Sequence, residues 1–482
     1  MKQAAAADAF QAGDHLALQA GAGTGKTTAL ALLAHATQRR GRYLAFNRVT
    51  AEDACARFPN TVQCKTAHAL AYAAVGHRYT CRLNAPRRPA WQTGQALGIT
   101  KAMRIGDCEV TQKALSNVTL RTVARFCHTA DEAITRHHVP PLRGLEHADL
   151  HAQLAAHIVP FARRAWADLQ HPDDGAVRFE HDHYLKIWAL TRPRIQTDFL
   201  LLDEAQDTNP VVEQVFLSQR EHAQLVMVGD SAQAIYHWRG AKDVMTGFDG
   251  TQLTLSQSFR FGPLLADEAN RWLHLADAPL RLTGTPDVPT ELGPLTRPDA
   301  VLCRTNVGAM AHVMDLMTTG YRVALVEAED SLRALALAAR DLKDGRRTTH
   351  PELLLFPSWG ELQDYAAHDP AGRDLQPLVG LVDTHGTDAI LAAVAQLVPE
   401  QHAQVTVSTA HKAKGREWPR VKIADDFTPP KDTDQQDAAG QPVPGPIDDA
   451  DARLAYVAVT RTRSRLDLGG LSWIHDHPHG TP

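Results

Sequence analysis

Residues 20–27 read Ala20, Gly21, Ala22, Gly23, Thr24, Gly25, Lys26 and Thr27, a glycine-rich run between an apolar segment (Leu16 to Leu18) and the start of a helix. A strand, loop and helix in that order suit the cradling of phosphate. Glycines at 21, 23 and 25 let the backbone wrap an anion, so that its N–H groups and the positive helix end face the charge. Lys26 then reaches the β- and γ-phosphates of a nucleoside triphosphate and Thr27 offers its hydroxyl to Mg²⁺, with Thr24 and Thr28 beside them. One departure is visible: Ala20 stands where G-x-x-x-x-G-K-[ST] has its first glycine. A glycine-rich turn that holds nothing would share the spacing.

Further along, the apolar run Phe199 to Leu202 ends in Asp203 and Glu204, followed by Ala205, Gln206 and Asp207. Acids at the end of a strand stand where a nucleotide site wants its metal and water ligands. Asp203 would position Mg²⁺ with Thr27, and Glu204 would orient or deprotonate the attacking water. A third segment runs from Leu225 through Gly229, Asp230, Gln233, Tyr236 and Trp238 to Arg239 and Gly240. Gln233 can touch the γ-phosphate, while Tyr236 and Trp238 offer flat faces on which bases stack for roughly 1–3 kcal/mol each. Such a segment would connect the state of the nucleotide to the grip on a nucleic-acid strand.

These groups need a scaffold, and the chain provides one. Strand-like and helix-like segments alternate from residue 15 to about 75, the order of a doubly wound α/β domain. Residues 82 to about 190 lose the strand signal and read as a mostly helical insertion, broken at Pro86 to Pro89, Pro140 and Pro141, and His171 to Gly175. Strands return at Phe199 to Leu202 and Leu225 to Val228. A second α/β series starts near Leu253 and includes Ala300 to Cys303, Arg322 to Val326, Val405 to Ser408 and Val421 to Ala424. A smaller helical stretch interrupts it between about 330 and 400, and residues 428–451 read as a long acidic loop. The fold class is therefore α/β, with two doubly wound domains. The reading divides the chain into a first ATP-binding domain at 1–80 and 191–250, a helical insertion at 81–190, a second domain at 251–329 and 401–482, and a reduced insertion at 330–400.

Composition narrows the setting. At 482 residues, 44% hydrophobic and 22% charged, the chain has the make-up of an ordinary soluble protein of several domains. No apolar run is long enough to cross a membrane, so a cytoplasmic location, or a nuclear one in a eukaryote, is expected. Net charge is −5, against a globally basic nucleic-acid binder, yet residues 61–145 hold twelve Lys/Arg against four Asp/Glu. That segment suits a phosphate backbone or a solvated helical face. The six cysteines form no C-x-x-C pair, which points to a reducing compartment without structural zinc. His137, His138 and the tail histidines 475, 477 and 479 show no ligand framework in sequence and read as compositional bias.

Taken with Tyr43 to Asn47, Cys64 to Tyr72, His181 to Trp188, Leu255 to Phe261, Cys303 to Asn306, Val407 to Trp418 and Leu454 to Arg461, the ordered motifs resemble those of superfamily 1A DNA helicases of the UvrD/Rep type. They are more closely similar to the helicase region of F-box DNA helicases. The resemblance runs from residue 20 to 465 and implies tandem RecA-like domains with ATP and Mg²⁺ between them. It implies that Phe259 stacks on adenine, Arg260 contacts the γ-phosphate, Arg461 is the arginine finger, and Glu417 binds ribose or senses the nucleotide. Gln3 corresponds to a glutamine that reads adenine. Phe46, Asn47, Thr66, His68, Thr409, His411 and Lys412 fall in strand-binding segments, with Tyr236 and Trp238.

The implied activity is ATP-driven movement on single-stranded DNA, 3′ to 5′, with separation of tailed duplexes in repair or control of recombination. Removal of RecA-type recombinase filaments with little unwinding is an alternative, and a nucleotide-gated DNA-binding protein without productive hydrolysis is another. The short interval between Arg260 and Val405 implies a reduced mobile insertion. Since the nucleotide motif lies near residue 1 and only residues 466–482 follow Arg465, no F-box, F-box-type partner or nuclease module is expected.

Overall fold

The structure, a computed structural model, describes residues 2–480 apart from 84, 86, 87, 107, 143, 144, 146, 236–244, 246, 327, 328, 349, 351, 352, 354, 355, 357, 369–374, 437–439, 441 and 479. Tyr236 and Trp238, assigned to base stacking, lie outside the described residues. By their contacts the residues group into two units. The first comprises Met1–Ala20 and Gly25–Leu255, the second Gly21–Thr24 and Ser256–Pro482.

Among the described residues, eight strands fall in the first unit: β1 (Leu16–Ala20), β2 (Gly41–Ala45), β3 (Val62–Thr66), β4 (Met103–Ile105), β5 (Cys108–Val110), β6 (Phe199–Leu202), β7 (Gln224–Gly229) and β8 (Thr251–Leu255). Six of them form a parallel sheet in the order β3-β2-β6-β7-β1-β8. Every residue of β6 and β7 is buried, the pattern of parallel strands covered on both faces. Alternation along the strands sorts their side chains. Leu16, Leu18, Tyr43, Phe199, Leu201 and Val226 join one apolar core with Phe10, Leu30 and Phe58. Ala17, Leu44, Leu200, Leu202, Leu225 and Met227 join a second with Phe126, Ala162, Leu169 and Trp188. The helical segment between β3 and β6 is thus packed onto the sheet itself.

One sequence expectation is corrected in this unit. Leu253 does not open the second domain: its strand, β8, pairs in parallel with β1 from Leu16↔Thr251 to Ala20↔Leu255. Half-exposed Thr251 and Leu253 alternate with exposed Gln252 and Thr254, as befits a sheet edge, and that polar alternation hid its membership. The 82–190 segment is mostly helical, as expected, with β4 and β5 forming a short antiparallel hairpin inside it. Ile105 and Val110 tuck into a small separate core with Ile99, Leu115 and Ile158.

Among the described residues of the second unit there are six further strands: β9 (Glu291–Leu292), β10 (Ala300–Cys303), β11 (Val323–Leu325), β12 (Val405–Thr409), β13 (Trp418–Ile423) and β14 (Thr462–Asp467). They form another parallel sheet, ordered β11-β12-β10-β13-β14-β9. Strands β9 and β14 were absent from the sequence reading: the first has two residues, and the second alternates Arg463 and Arg465 with smaller side chains. Helices between 329 and 395 pack Leu335, Ala339, Trp359, Leu381 and Ile390 against the strands through Val301, Val405 and Val407.

Candidate nucleotide site and strand-binding edge

In the first sheet β1 is flanked by β7 and β8, and the chain leaves its C-terminal end as the glycine-rich loop. That is where an open parallel sheet offers a crevice for a ligand. Gly23 (φ +73°) and Gly25 (φ +77°) take left-handed backbone, which a side chain adopts only at a cost. Gly25 is the residue before the helix Lys26–His35, and no side chain caps that N-terminus, so its N–H groups are aimed at the loop. Thr24 is buried and its hydroxyl donates to the Gly21 carbonyl at 2.9 Å. Thr28 is exposed.

Lys26 stands 3.9 Å from Glu204, its side chain 12% exposed. At that separation the pair is loose, and the ammonium is available to a stronger anion. Thr27 is tighter, its hydroxyl donating to Asp203 Oδ2 at 2.6 Å. Asp203 is buried at the end of β6, and the Glu204 N–H donates to its other oxygen at 2.9 Å. Burial, with the neighbouring Glu204 charge second, pushes the Asp203 carboxyl above its ordinary range; the Thr27 and Tyr43 hydrogen bonds and Lys26 pull the other way. A hydroxyl and a carboxylate are the hard oxygen donors Mg²⁺ takes, and two protein oxygens leave room for water and phosphate, so the pair fits that ion.

Glu204 has φ +50°. Left-handed backbone costs a non-glycine residue roughly 1–2 kcal/mol, and it persists where the surroundings over-determine it. Here Gln206 holds the carboxylate, donating from Nε2 to Glu204 Oε2 (2.7 Å) and Asp207 Oδ2 (3.1 Å), while its Oε1 accepts from the Asp230 N–H (2.9 Å). Asp230 Oδ2 in turn accepts from Gln233 Nε2 at 2.7 Å. One hydrogen-bonded chain therefore runs from the candidate base to the candidate γ-phosphate sensor.

Two members of the constellation carry no role in the sequence reading. Gln206 is fully buried, and Tyr43 donates its phenol proton to Asp203 Oδ2 at 2.7 Å. The available signal for Tyr43 was a polar hydroxyl inside an apolar strand, which must find a partner when buried.

Gln3 is exposed and lines a small apolar groove with Ala6, Ala29, Leu33 and Leu255.

The second unit collects other candidates. Arg260 Nε lies 2.7 Å from Glu417 Oε2, and its Nη1 donates to the Thr460 carbonyl at 2.7 Å. Glu417 also faces Arg463 at 3.6 Å. Phe259 is 60% exposed, a ring open to a planar ligand. Arg461 is buried, with Nε donating to the Val457 carbonyl and Nη2 to Thr460 Oγ1, so its guanidinium is stored within its own unit. Ala22, grouped with this unit, donates its N–H to the Tyr456 hydroxyl at 3.0 Å.

At the C-terminal ends of β2 and β3 lie the first unit's strand-binding candidates. Phe46 is 54% exposed. Asn47 and Thr66 begin helices, accepting from Thr50 N (2.8 Å) and Ala69 N (3.1 Å), so their side chains are spent on caps. His68 Nε2 meets Asp182 Oδ1 at 3.0 Å, and His128 meets the other oxygen at the same distance. A cleft lined by Phe46, His68, Asp203, Asp207 and Asn209 joins this edge to the buried acid. In the second unit Thr409 ends β12, buried; His411 is half-buried, and Lys412 Nζ donates to Asn306 Oδ1 at 2.9 Å.

A glycine loop, Lys26, Thr27 and a strand-end acid pair on a parallel sheet define a P-loop nucleotide-binding protein, with a second parallel-sheet unit behind it in the chain. The comparisons make the class more definite. A family model of the UvrD/REP helicase N-terminal domain matches residues 167–246, and one of the UvrD-like helicase C-terminal domain matches residues 387–471. The chain thus carries segments similar to both the N-terminal and the C-terminal domain of UvrD-like helicases, set on two parallel-sheet units of the tandem RecA-like kind. It is 28% identical over 501 residues to F-box DNA helicase protein 1 of Schizosaccharomyces pombe, covering 95% of this chain and 55% of that protein. It is 26% identical over 491 residues to F-box DNA helicase 1 of Gallus gallus, covering 95% and 47%. The chain spans about half the length of these curated relatives.

Proposed function

We propose that this chain hydrolyses ATP to move along single-stranded DNA in the 3′ to 5′ direction and separates tailed duplexes, in repair or the control of recombination. The observation that carries the reading is the convergence of Lys26, Thr27, Asp203 and Glu204 at the C-terminal ends of β1 and β6, with Thr27 and Asp203 joined at 2.6 Å.

When bound, Mg²⁺ held by Thr27 and Asp203 supplies charge neutralisation on the phosphates. Lys26 leaves Glu204 for the β- and γ-phosphates, which frees the Glu204 carboxylate to orient a water and accept its proton. Gln206 fixes the direction in which that carboxylate points. Gln233, at the far end of the same chain of hydrogen bonds, reports the state of the γ-phosphate to the segment bearing Tyr236 and Trp238. Arg260 and Arg461 supply cationic charge for the transferring phosphoryl group, and Phe259 supplies the ring for adenine. Phe46 and His68 hold DNA at the strand ends of the first sheet; Thr409, His411 and Lys412 hold it in the second unit.

The test is ATP hydrolysis with and without single-stranded DNA, for the intact chain and for Lys26→Ala and Glu204→Gln, followed by strand separation on 3′-tailed and 5′-tailed duplexes. Strong stimulation by DNA, lost by at least ~10²-fold in both variants, with unwinding confined to 3′ tails, is the expected result. Tight DNA binding without stimulated hydrolysis overturns the motor, and preference for 5′ tails overturns the polarity.

A further inference from the structure

We propose that Asp131, His137 and His138, in the loop after the helix Gln112–Cys127, form a binding site for a divalent transition-metal ion of the zinc or cobalt type. The paired histidines show no framework in the sequence; the fold provides one. Asp131 Oδ2 lies 2.6 Å from His137 Nε2 and 3.0 Å from His138 Nε2. One ligand atom from each residue falls within 4.8 Å of the others, and among the described residues no other group of three His, Cys, Asp or Glu meets that spacing.

The second observation concerns the far side of each ring. His137 Nδ1 is 2.7 Å from Thr135 Oγ1, and His138 Nδ1 is 3.2 Å from the Thr135 carbonyl. A single residue thus orients both imidazoles, with both Nε2 atoms turned toward the carboxylate. Metal-binding histidines are held in this way, the distal N–H donated to a carbonyl or hydroxyl. Without metal, the Thr135 N–H donates to His138 Nδ1 at 3.0 Å, which leaves the proton on Nε2 facing Asp131. Coordination asks that this neutral ring change tautomer, with Nδ1–H donating to the Thr135 carbonyl and the Thr135 N–H giving up its bond to Nδ1.

Two nitrogens and one oxygen suit zinc and its neighbours better than calcium or magnesium. His138 is fully buried while His137 and Asp131 are 59% and 42% exposed, so water completes the coordination from the open side. Thr129 Oγ1, 3.1 Å from His138 Nε2, flanks the site. Lys186 opposes a dication: its amino group donates to the carbonyls of Thr129 and Asp131. All three ligands come from residues 131–138, so the ion would brace the loop itself.

The experiment uses the full chain, stripped with chelator and dialysed against Co²⁺, with the visible absorption of bound Co²⁺ as the signature and Zn²⁺ as competitor. The intact chain should take up one ion per chain in a site with nitrogen and oxygen ligands, displaced by Zn²⁺. His137→Ala and Asp131→Ala, both at exposed positions, should each weaken uptake by at least ~10-fold, and Thr135→Val by a similar factor through loss of ring orientation. Thermal unfolding without metal verifies that the variants fold. Absence of saturable Co²⁺ uptake, or a His137→Ala curve that overlays that of the intact chain, overturns the site and leaves a histidine–carboxylate ion pair.

Discussion

Replacing Tyr43 by Phe removes one oxygen atom and one hydrogen bond from the acid at the centre of the proposed site. Tyr43 is fully buried, and its ring packs on Phe58 with centroids 4.8 Å apart, so phenylalanine keeps the packing and opens no sizeable cavity. What is lost is the proton donated to Asp203 Oδ2 at 2.7 Å. Burial already raises the Asp203 pKa, and the Tyr43 bond is one of the contacts that restrain the rise. Hydrogen bonds to charged groups contribute about 1.5–3 kcal/mol, so losing this one moves the Asp203 titration further up.

A site that needs the ionised carboxylate for its metal then loses activity at higher pH than before. The acid limb of the kcat/KM profile for Mg-ATP should shift alkaline, while the rates converge well above the limb. Stability carries the matching sign. A carboxyl whose folded pKa lies above its unfolded value stabilises below the unfolded pKa, and that contribution is lost as pH rises through the folded pKa. The variant should therefore lose more stability near neutral pH than near pH 4. Superimposed acid limbs in a folded Tyr43→Phe protein would refute the assignment of Tyr43 to Asp203.

Gln206→Leu removes the clamp on Glu204 and the acceptor that Gln206 offers the Asp230 N–H; kcat should fall by about 10²-fold with little change in KM, as steady-state kinetics will show. Gly23→Ala places a methyl 2.4 Å from Ser258 Oγ and 2.6 Å from Arg260 Cβ on left-handed backbone, so binding of a fluorescent nucleotide should weaken by at least ~10-fold. His183 is buried and accepts the Glu180 N–H at 2.9 Å; burial lowers its pKa to about 4. Because the unfolded chain binds that proton first, stability should fall by about 3 kcal/mol as pH drops from 6.5 to 4. His183→Gln keeps the cap acceptor and should flatten that dependence in denaturant titrations.

The glycine loop, the buried strand at Phe199 and the acids after it were legible because each couples a strong local pattern to a chemical need. A similar pattern placed β10, an unbroken apolar run, and β12, whose Val405 and Val407 alternate with β-branched and small hydroxyl residues that suit a buried strand. Strand β8 escaped because threonine and glutamine at an edge resemble a connecting loop, and β14 because its arginines mask an alternation that only the neighbouring β13 completes. Tyr43 and Gln206 illustrate a different gap. Their partners lie on other strands or across a turn, and no spacing rule along the chain anticipates a phenol meeting Asp203. The histidine pair at 137 and 138 is the sharpest case, because its carboxylate and its orienting threonine meet it only through the path of the loop.

The pairing of β2 with β6 has a consequence for how the protein is made. Arg40 N donates to Asp198 across 158 residues of chain, and Gly41 to Leu44 align with Phe199 to Leu202. At about 5–20 residues per second, a ribosome needs roughly 8–30 s to deliver the second strand after the first. Through that interval Leu44 and the apolar faces of the intervening helices, whose core includes Leu200 and Leu202, wait without the surface they are shaped to cover. A chain halted before residue 199 would therefore hold a half-built sheet, with the apolar surface that β6 covers left open to water and to other chains.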